Sequence, residues 1–212
     1  MALFLTAGIP AFLVLVLNLF FSGSFDGRSA FGWAAKGILW FFPGIVVYLG
    51  LAGFVPAAFS GWPLYLSRTL LDLALPAAIG LGAYLFSFRK QLIIDGETQF
   101  VRVFSFLTGF FSLFAVYAAV TYPGWYAGYL YFLLPLTWMG LMTAAGIAVG
   151  AFFTLVTGLR FFFPAAAAAA FLFAGLVPLL YVLNYRFAAV LPALFIFAGS
   201  LLLVPKTSVF LK

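Results

Sequence analysis

Apolar stretches about as long as a bilayer is thick alternate along the chain with short clusters of charged, Gly, Pro and aromatic positions. Residues 2–21 contain no Lys or Arg. A secretory signal would open with basic residues and carry a shorter apolar core, so this stretch reads as a retained first helix. Asp26, Arg28 and Lys36 mark a polar connection over 22–36. The apolar run 37–59 is a second span. Ser60-Gly61-Trp62-Pro63 is then a turn signal, with Pro63 opening a third helix over 64–88.

The polar connection 89–102 has a different pattern. Gln91-Leu92-Ile93-Ile94, Asp95-Gly96 and Thr98-Gln99-Phe100-Val101 predict strand, turn and strand, because Asp-Gly beside β-branched residues suits a tight hairpin. A fourth span follows over 103–121, and Tyr122-Pro123-Gly124-Trp125 turns the chain. The run from Tyr129 to Gly158 is too long for one upright helix rising about 1.5 Å per residue. Pro135 is therefore expected to open the span 135–158, leaving Tyr129 and Tyr131 at the interface. A helix from 164 to 205 would measure about 60 Å, twice the hydrocarbon thickness. Asn184-Tyr185-Arg186 divides that block into spans 164–183 and 187–205, and Lys206–Lys212 forms a tail.

Composition turns this pattern into a fold class. The 212 residues are 67% hydrophobic and 7% charged, with a mean hydropathy of +1.25. A soluble domain carries about 25% charged residues because its surface faces water, so lipid is the solvent here. The expectation is an all-α polytopic membrane protein, a single integral domain over 1–212. It is a bundle of seven transmembrane helices, or six if one run does not cross, with a short cytosolic β-hairpin between helices 3 and 4. Small rows, the Ala165–Ala170 run included, fall inside spans and read as helix.

Lys and Arg set the orientation. With the N-terminus outside and the C-terminus cytosolic, the inner segments hold Arg28, Lys36, Arg89, Lys90, Arg102, Arg160, Lys206 and Lys212, against Arg68 and Arg186 outside. Trp62, Tyr65, Tyr122, Trp125, Tyr126, Tyr129, Tyr131, Tyr181 and Tyr185 then gather at the outer ends as a one-sided aromatic belt. Composition and brevity point to a bacterial cytoplasmic (inner) membrane. The formal charge of +6 comes from basic residues scattered among apolar segments, which excludes the basic stripe of a nucleic-acid binder.

The inventory of reactive groups is thin. With neither His nor Cys, typical zinc, haem and Fe–S ligation and imidazole-assisted nucleophiles are absent. A Schiff base would need a mid-helix Lys in the last span, and Lys206 lies past its end. No catalytic residue, cofactor or metal is expected.

Three groups of residues stand out. Asp72 is the only carboxylate within an expected span, about 24 Å along the helix from Phe88. Arg68 lies one turn before it, and Asn184 and Arg186 reach the same level. These four form a candidate outer polar cluster, able to couple a proton or cation or to capture an anion, or else to anchor helix depth at the headgroups. Gly146, Gly150 and Thr154, continued to Gly158, and Ala74, Ala78 and Gly82 form rows of small residues that let helices approach. Pro10, Pro43, Pro56, Pro76, Pro178 and Pro192 would kink helices or free carbonyls. The hairpin presents Arg89, Lys90, Asp95, Gly96, Glu97, Phe100 and Arg102. Two strands alone are barely stable in water, so it needs the bundle, lipid headgroups or other membrane-complex subunits to lie against.

Two functions follow. Scarce intramembrane polarity favours a nonenzymatic subunit or assembly factor of a membrane complex, docked through the 89–102 loop. The alternative is a small permease or substrate-capturing transporter subunit built on the outer Arg/Asp site.

Overall fold

The computed structural model describes residues 27–56, 61–89, 96–121, 128–154 and 159–211. In chain order its elements are α1 (Gly27–Ala52), α2 (Gly61–Arg68), a π-helical segment π1 (Thr69–Ala74), α3 (Leu75–Phe88) and α4 (Gly96–Thr121). A second π-helical segment, π2 (Tyr129–Leu133), leads into α5 (Leu134–Thr154), followed by α6 (Leu159–Ala174), α7 (Leu176–Val182) and α8 (Arg186–Leu211). Among the described residues there is no strand. Among the described residues, five helical runs are long and apolar enough to cross a bilayer: Arg28–Ala52, Gly61–Phe88, Thr98–Thr121, Tyr129–Phe153 and Phe161–Val182. Arg186–Gly199 is a shorter apolar helix. The architecture is that of a helical membrane bundle, in which each helix pairs its own backbone groups where lipid offers none.

Two central helices organise the packing. On α4, Phe100, Val103, Phe106, Leu107, Phe110 and Phe114 are all buried, and on α5 so are Trp138, Leu141, Met142 and Ala145. A helix covered on every side is enclosed by its neighbours. By contrast, α1 turns Trp33, Phe41 and Tyr48 inward and leaves Leu39, Phe42 and Val46 exposed. Lipid tails are as apolar as these side chains, so close packing rather than escape from water holds the helices together. Trp138 of α5 meets Phe111 and Phe114 of α4 at ring separations of 4.8 and 5.2 Å. Tyr48 of α1 stands edge-on to Phe114 at 4.9 Å.

Helices α1 and α4 approach each other closely and reciprocally. A Cβ on Gly37 would overlap the Phe106 carbonyl, and one on Gly109 would overlap the Ala34 carbonyl. Only residues without a side chain allow backbones this near. Neither glycine belongs to the rows expected to bring helices together.

Several boundaries differ from the expectations. Helix α1 starts at Gly27, so the described part of the polar connection 22–36 belongs to the spanning helix. Arg28 and Lys36 lie on its first turns, where a long cationic side chain reaches the interface. The helix ends at Ala52 rather than Phe59, ahead of the Pro56 ring. Helix α2 begins at Gly61, whose φ is +62°, placing Pro63 third rather than first. Tyr129 to Leu133 continue into α5, so that span starts at Tyr129 rather than Pro135. The block 164–183 is split between α6 and α7 at Gly175, and the expected tail from Lys206 to Leu211 is helical, continuing α8.

The hairpin is corrected in its second half. Gly96–Thr121 is one helix, so Thr98-Gln99-Phe100-Val101 is its first turns and not a strand. Phe100, Val103 and Leu107 already follow helical spacing, and all three are buried. This long-range burial overrides the local Asp-Gly signal. The first strand, Gln91–Ile94, with Lys90 and Asp95, lies outside the described residues, as does the first expected span, 2–21.

Candidate functional site around Asp72

Asp72 sits in π1 and is 5% exposed, the one carboxylate among the buried described residues. The local sequence explains its setting. Pro76 has no N–H, so the carbonyl of Asp72, four residues earlier, loses its α-helical donor. The backbone widens here, and Leu75 N–H bonds the Leu70 carbonyl. From α5, Trp138 brings its indole N–H to the Asp72 carbonyl at 2.9 Å. Leaving a buried carbonyl bare would cost about 1–3 kcal/mol.

The carboxylate has its own donor. Tyr129, the first residue of π2, donates its hydroxyl to Asp72 Oδ2 at 3.1 Å. The pair therefore joins the two π-helical segments, a distortion that often marks functional positions in helices. The Tyr129 ring lies 5.4 Å from that of Tyr181 on α7, and Arg186 Cζ is 5.6 Å from the Tyr181 ring centre. Asp72 and Arg186 thus stand at opposite ends of a tyrosine pair.

The wall behind π1 is the α6–α7 break. Tyr65 donates its hydroxyl to the Leu172 carbonyl. A Cβ on Gly175 would overlap the Thr69 hydroxyl, so the break needs glycine for π1 to fit. Thr69 itself bonds the Tyr65 carbonyl at 2.7 Å. Thr108, Thr137 and Thr143 likewise donate back to carbonyls four residues earlier in their own helices. The donor of each hydroxyl is thereby engaged within its helix.

The residues of the expected outer cluster lie on four elements, Arg68 on α2, Asp72 on π1, Asn184 after α7 and Arg186 at the start of α8. Asp72 and Arg186 are linked through Tyr129 and Tyr181, and Arg68 ends α2, half-buried beside π1. Asn184 has another role. Its φ is 67°, Asn184 N–H bonds the Tyr181 carbonyl at 3.0 Å, and Tyr185 N–H bonds the Leu180 carbonyl at 2.8 Å. That is a Schellman turn closing α7, with Asn in the left-handed position usually given to Gly.

The aromatic belt also divides. Trp62 and Tyr185 are exposed, whereas Tyr129 and Tyr181 are 1% and 6% exposed and belong to the interior. Tyr122, Trp125 and Tyr126 lie outside the described residues. In the rows of small residues, Gly146 packs against the Phe100 ring and Gly150 is buried, but Gly82 has open space beside it and Ala78 is exposed. The Thr154 side chain lies outside the described set.

Among the hairpin residues, Phe100 is buried, Arg89 is exposed at the end of α3, and Arg102 reaches the α1 indole of Trp33. Gly96 and Glu97 start α4. Two grooves of about 320 and 400 Å³ flank α6, and their walls are apolar, such as Gly140, Ala144 and Phe195 on one side and Leu85, Ala148 and Phe152 on the other. They supply no titratable group.

Sequence reasoning missed Tyr129 and Trp138 as partners of Asp72. The signal available for Trp138 was Pro76, four residues after Asp72, which announces a carbonyl in need of a donor. Comparison of the chain with protein-family models, with curated proteins and with solved structures finds no match.

Proposed function

We propose that the protein is a small permease, or the substrate-capturing subunit of a transporter, in which Asp72 takes up the proton or cation that accompanies the solute. The observation that carries this reading is the 3.1 Å Tyr129–Asp72 hydrogen bond, made in the bundle interior between two π-helical segments. A carboxylate is costly inside a membrane and is retained where charge must be bound or moved. Interrupted helices around such a residue are the usual way transporters place polar groups near a solute. Read by the distribution of Lys and Arg, Asp72 belongs toward the outer leaflet in this proposal. The residues around it bind and hold charge, a role that needs no nucleophile.

Proteoliposomes enclosing a pH-sensitive dye test this. Under a potassium diffusion potential, alone and with panels of amino acids, amines and organic anions, the wild type should admit protons or cations faster than protein-free vesicles. Asp72→Asn should fall to the protein-free rate and Tyr129→Phe should lie between. Equal rates for wild type and Asp72→Asn would overturn the reading.

A second reading, a nonenzymatic subunit or assembly factor of a membrane complex, is favoured by the thin interior polarity. Among the described residues the other buried polar side chains in this class are Ser, Thr and Gln, and most of the Ser and Thr hydroxyls donate within their own helical runs. Its sign would be a stoichiometric partner recovered from native membranes in mild detergent.

A further inference from the structure

Polar atoms without partners gather at the end of the bundle where the first turns of α1, the last turn of α3 and the first turns of α4 meet. Trp33 of α1 is 5% exposed and packs on Phe88 and Tyr84 of α3, with ring separations of 4.7 and 5.8 Å. Lys36 Nζ lies 3.8 Å from the centre of this indole, and Arg102 Cζ lies 5.3 Å from it. One ring therefore serves two cations.

The α4 side of this junction is a polar stripe. Gln99, Arg102 and Ser105 follow one another at three-residue spacing, which puts them on one helix face. Gln99 is 0% exposed and donates to the Tyr84 hydroxyl at 3.2 Å, while its Oε1 has no partner. Arg102 Nε and Ser105 Oγ are also buried without hydrogen bonds, as is Ser87 Oγ on α3. Folded proteins pair nearly all such atoms. Two cations at one indole, one of them with an unused guanidinium N–H, offer charged donors to an oxyanion.

The neighbouring surface indicates what carries the anion. Lys36 is exposed and begins a face of α1 that continues through Leu39, Phe42 and Val46, all exposed. A cationic head followed by an apolar stripe down a membrane helix matches a lipid, its phosphate at the charges and an acyl chain along the stripe. We propose that Lys36 and Arg102, set around Trp33, bind the phosphate of an anionic phospholipid headgroup. This site is separate from Asp72 and does not depend on the transport reading.

Native mass spectrometry of the full-length protein, exchanged into detergent with dioleoyl-phosphatidylglycerol or dioleoyl-phosphatidylcholine, tests the assignment. The wild type should retain phosphatidylglycerol about tenfold better, because phosphatidylcholine offers the same phosphate but brings its choline ammonium against the two cations. The double variant Lys36→Gln/Arg102→Gln should lose the preference, while Lys36→Arg and, on α8, Arg186→Gln keep it. Equal retention of the two lipids by the wild type, or a preference surviving in the double variant, overturns the proposal. If the double variant aggregates, Lys36→Gln and Arg102→Gln singly must each lower the preference, and full retention in both overturns it. Displacement of the bound lipid by millimolar inorganic phosphate would assign the site to free phosphate and overturn the lipid.

Discussion

Trp138 and Asp72 are joined through the main chain: the indole N–H of one donates to the carbonyl of the other at 2.9 Å. The carbonyl is available because Pro76 cannot supply the helical N–H. A tryptophan on α5 thus completes a hydrogen bond that the sequence of π1 and α3 leaves open, and it ties the two helices at the level of the buried carboxylate.

This relationship can be tested by restoring the missing donor. Trp138→Phe keeps most of the packing and removes the N–H, and should destabilise the protein by about 1–3 kcal/mol. In a Pro76→Ala background the helix regains an N–H for Asp72, so the same substitution should cost less. Reversible unfolding in mixed micelles of the two single variants and the double variant measures the difference. Equal costs in both backgrounds would show that the indole acts by packing alone.

Asp72 and Tyr129 should be energetically coupled. Interhelical hydrogen bonds in membrane proteins contribute about 1 kcal/mol, so Asp72→Ala and Tyr129→Phe, each removing one partner, should each destabilise, and together by less than their sum. A double-mutant cycle in the same assay reads the coupling directly, and strict additivity would contradict the contact.

Glycine substitutions should separate helix packing from small-residue patterning. Gly37→Ala and Gly109→Ala force a Cβ into an opposing backbone carbonyl and should each cost about 1–3 kcal/mol. Gly82→Ala meets nothing within 4 Å and should be neutral, or stabilising by up to about 1 kcal/mol through helix propensity. Thermal unfolding in detergent ranks the three, and a Gly82→Ala loss equal to that of Gly37→Ala would refute the α1–α4 geometry.

Asn184 distinguishes a turn from a polar site. At φ 67°, Asn184→Gly should keep or slightly raise stability, whereas Asn184→Ala should lose about 1 kcal/mol. If Asn184 served ligand capture instead, both variants would abolish the transport proposed for the Asp72 site, which proteoliposome assays of the two would reveal.

Much of the architecture was legible because its cause is local. A lipid-spanning segment must be apolar over its whole length, so the runs from 37 to 59, 64 to 88, 103 to 121, 135 to 158 and 164 to 183 could be located from hydropathy alone, with ends shifted by several residues. Asp72 stood out for the same reason, as a carboxylate inside such a run. The second half of the hairpin was misread because Asp95-Gly96 is a strong local turn signal, while the helix over Thr98–Val101 is held by burial of Gln99 and Phe100 against other helices. Tyr129 and Tyr181 were assigned to the interface because their positions near the ends of apolar runs match a belt.

By itself, then, the amino-acid order determined that this chain belongs in a membrane, roughly where its helices run, and that one carboxylate lies within them. Each follows from the solvent a segment must meet. Tertiary structure alone decided that Tyr129 and Trp138 converge on Asp72, that Gly37 and Gly109 let α1 and α4 approach closely, and that Lys36 and Arg102 share Trp33. Those pairings depend on how helices rotate and cross. In lipid that is governed by side-chain fit between segments distant in sequence, which apolar periodicity does not encode.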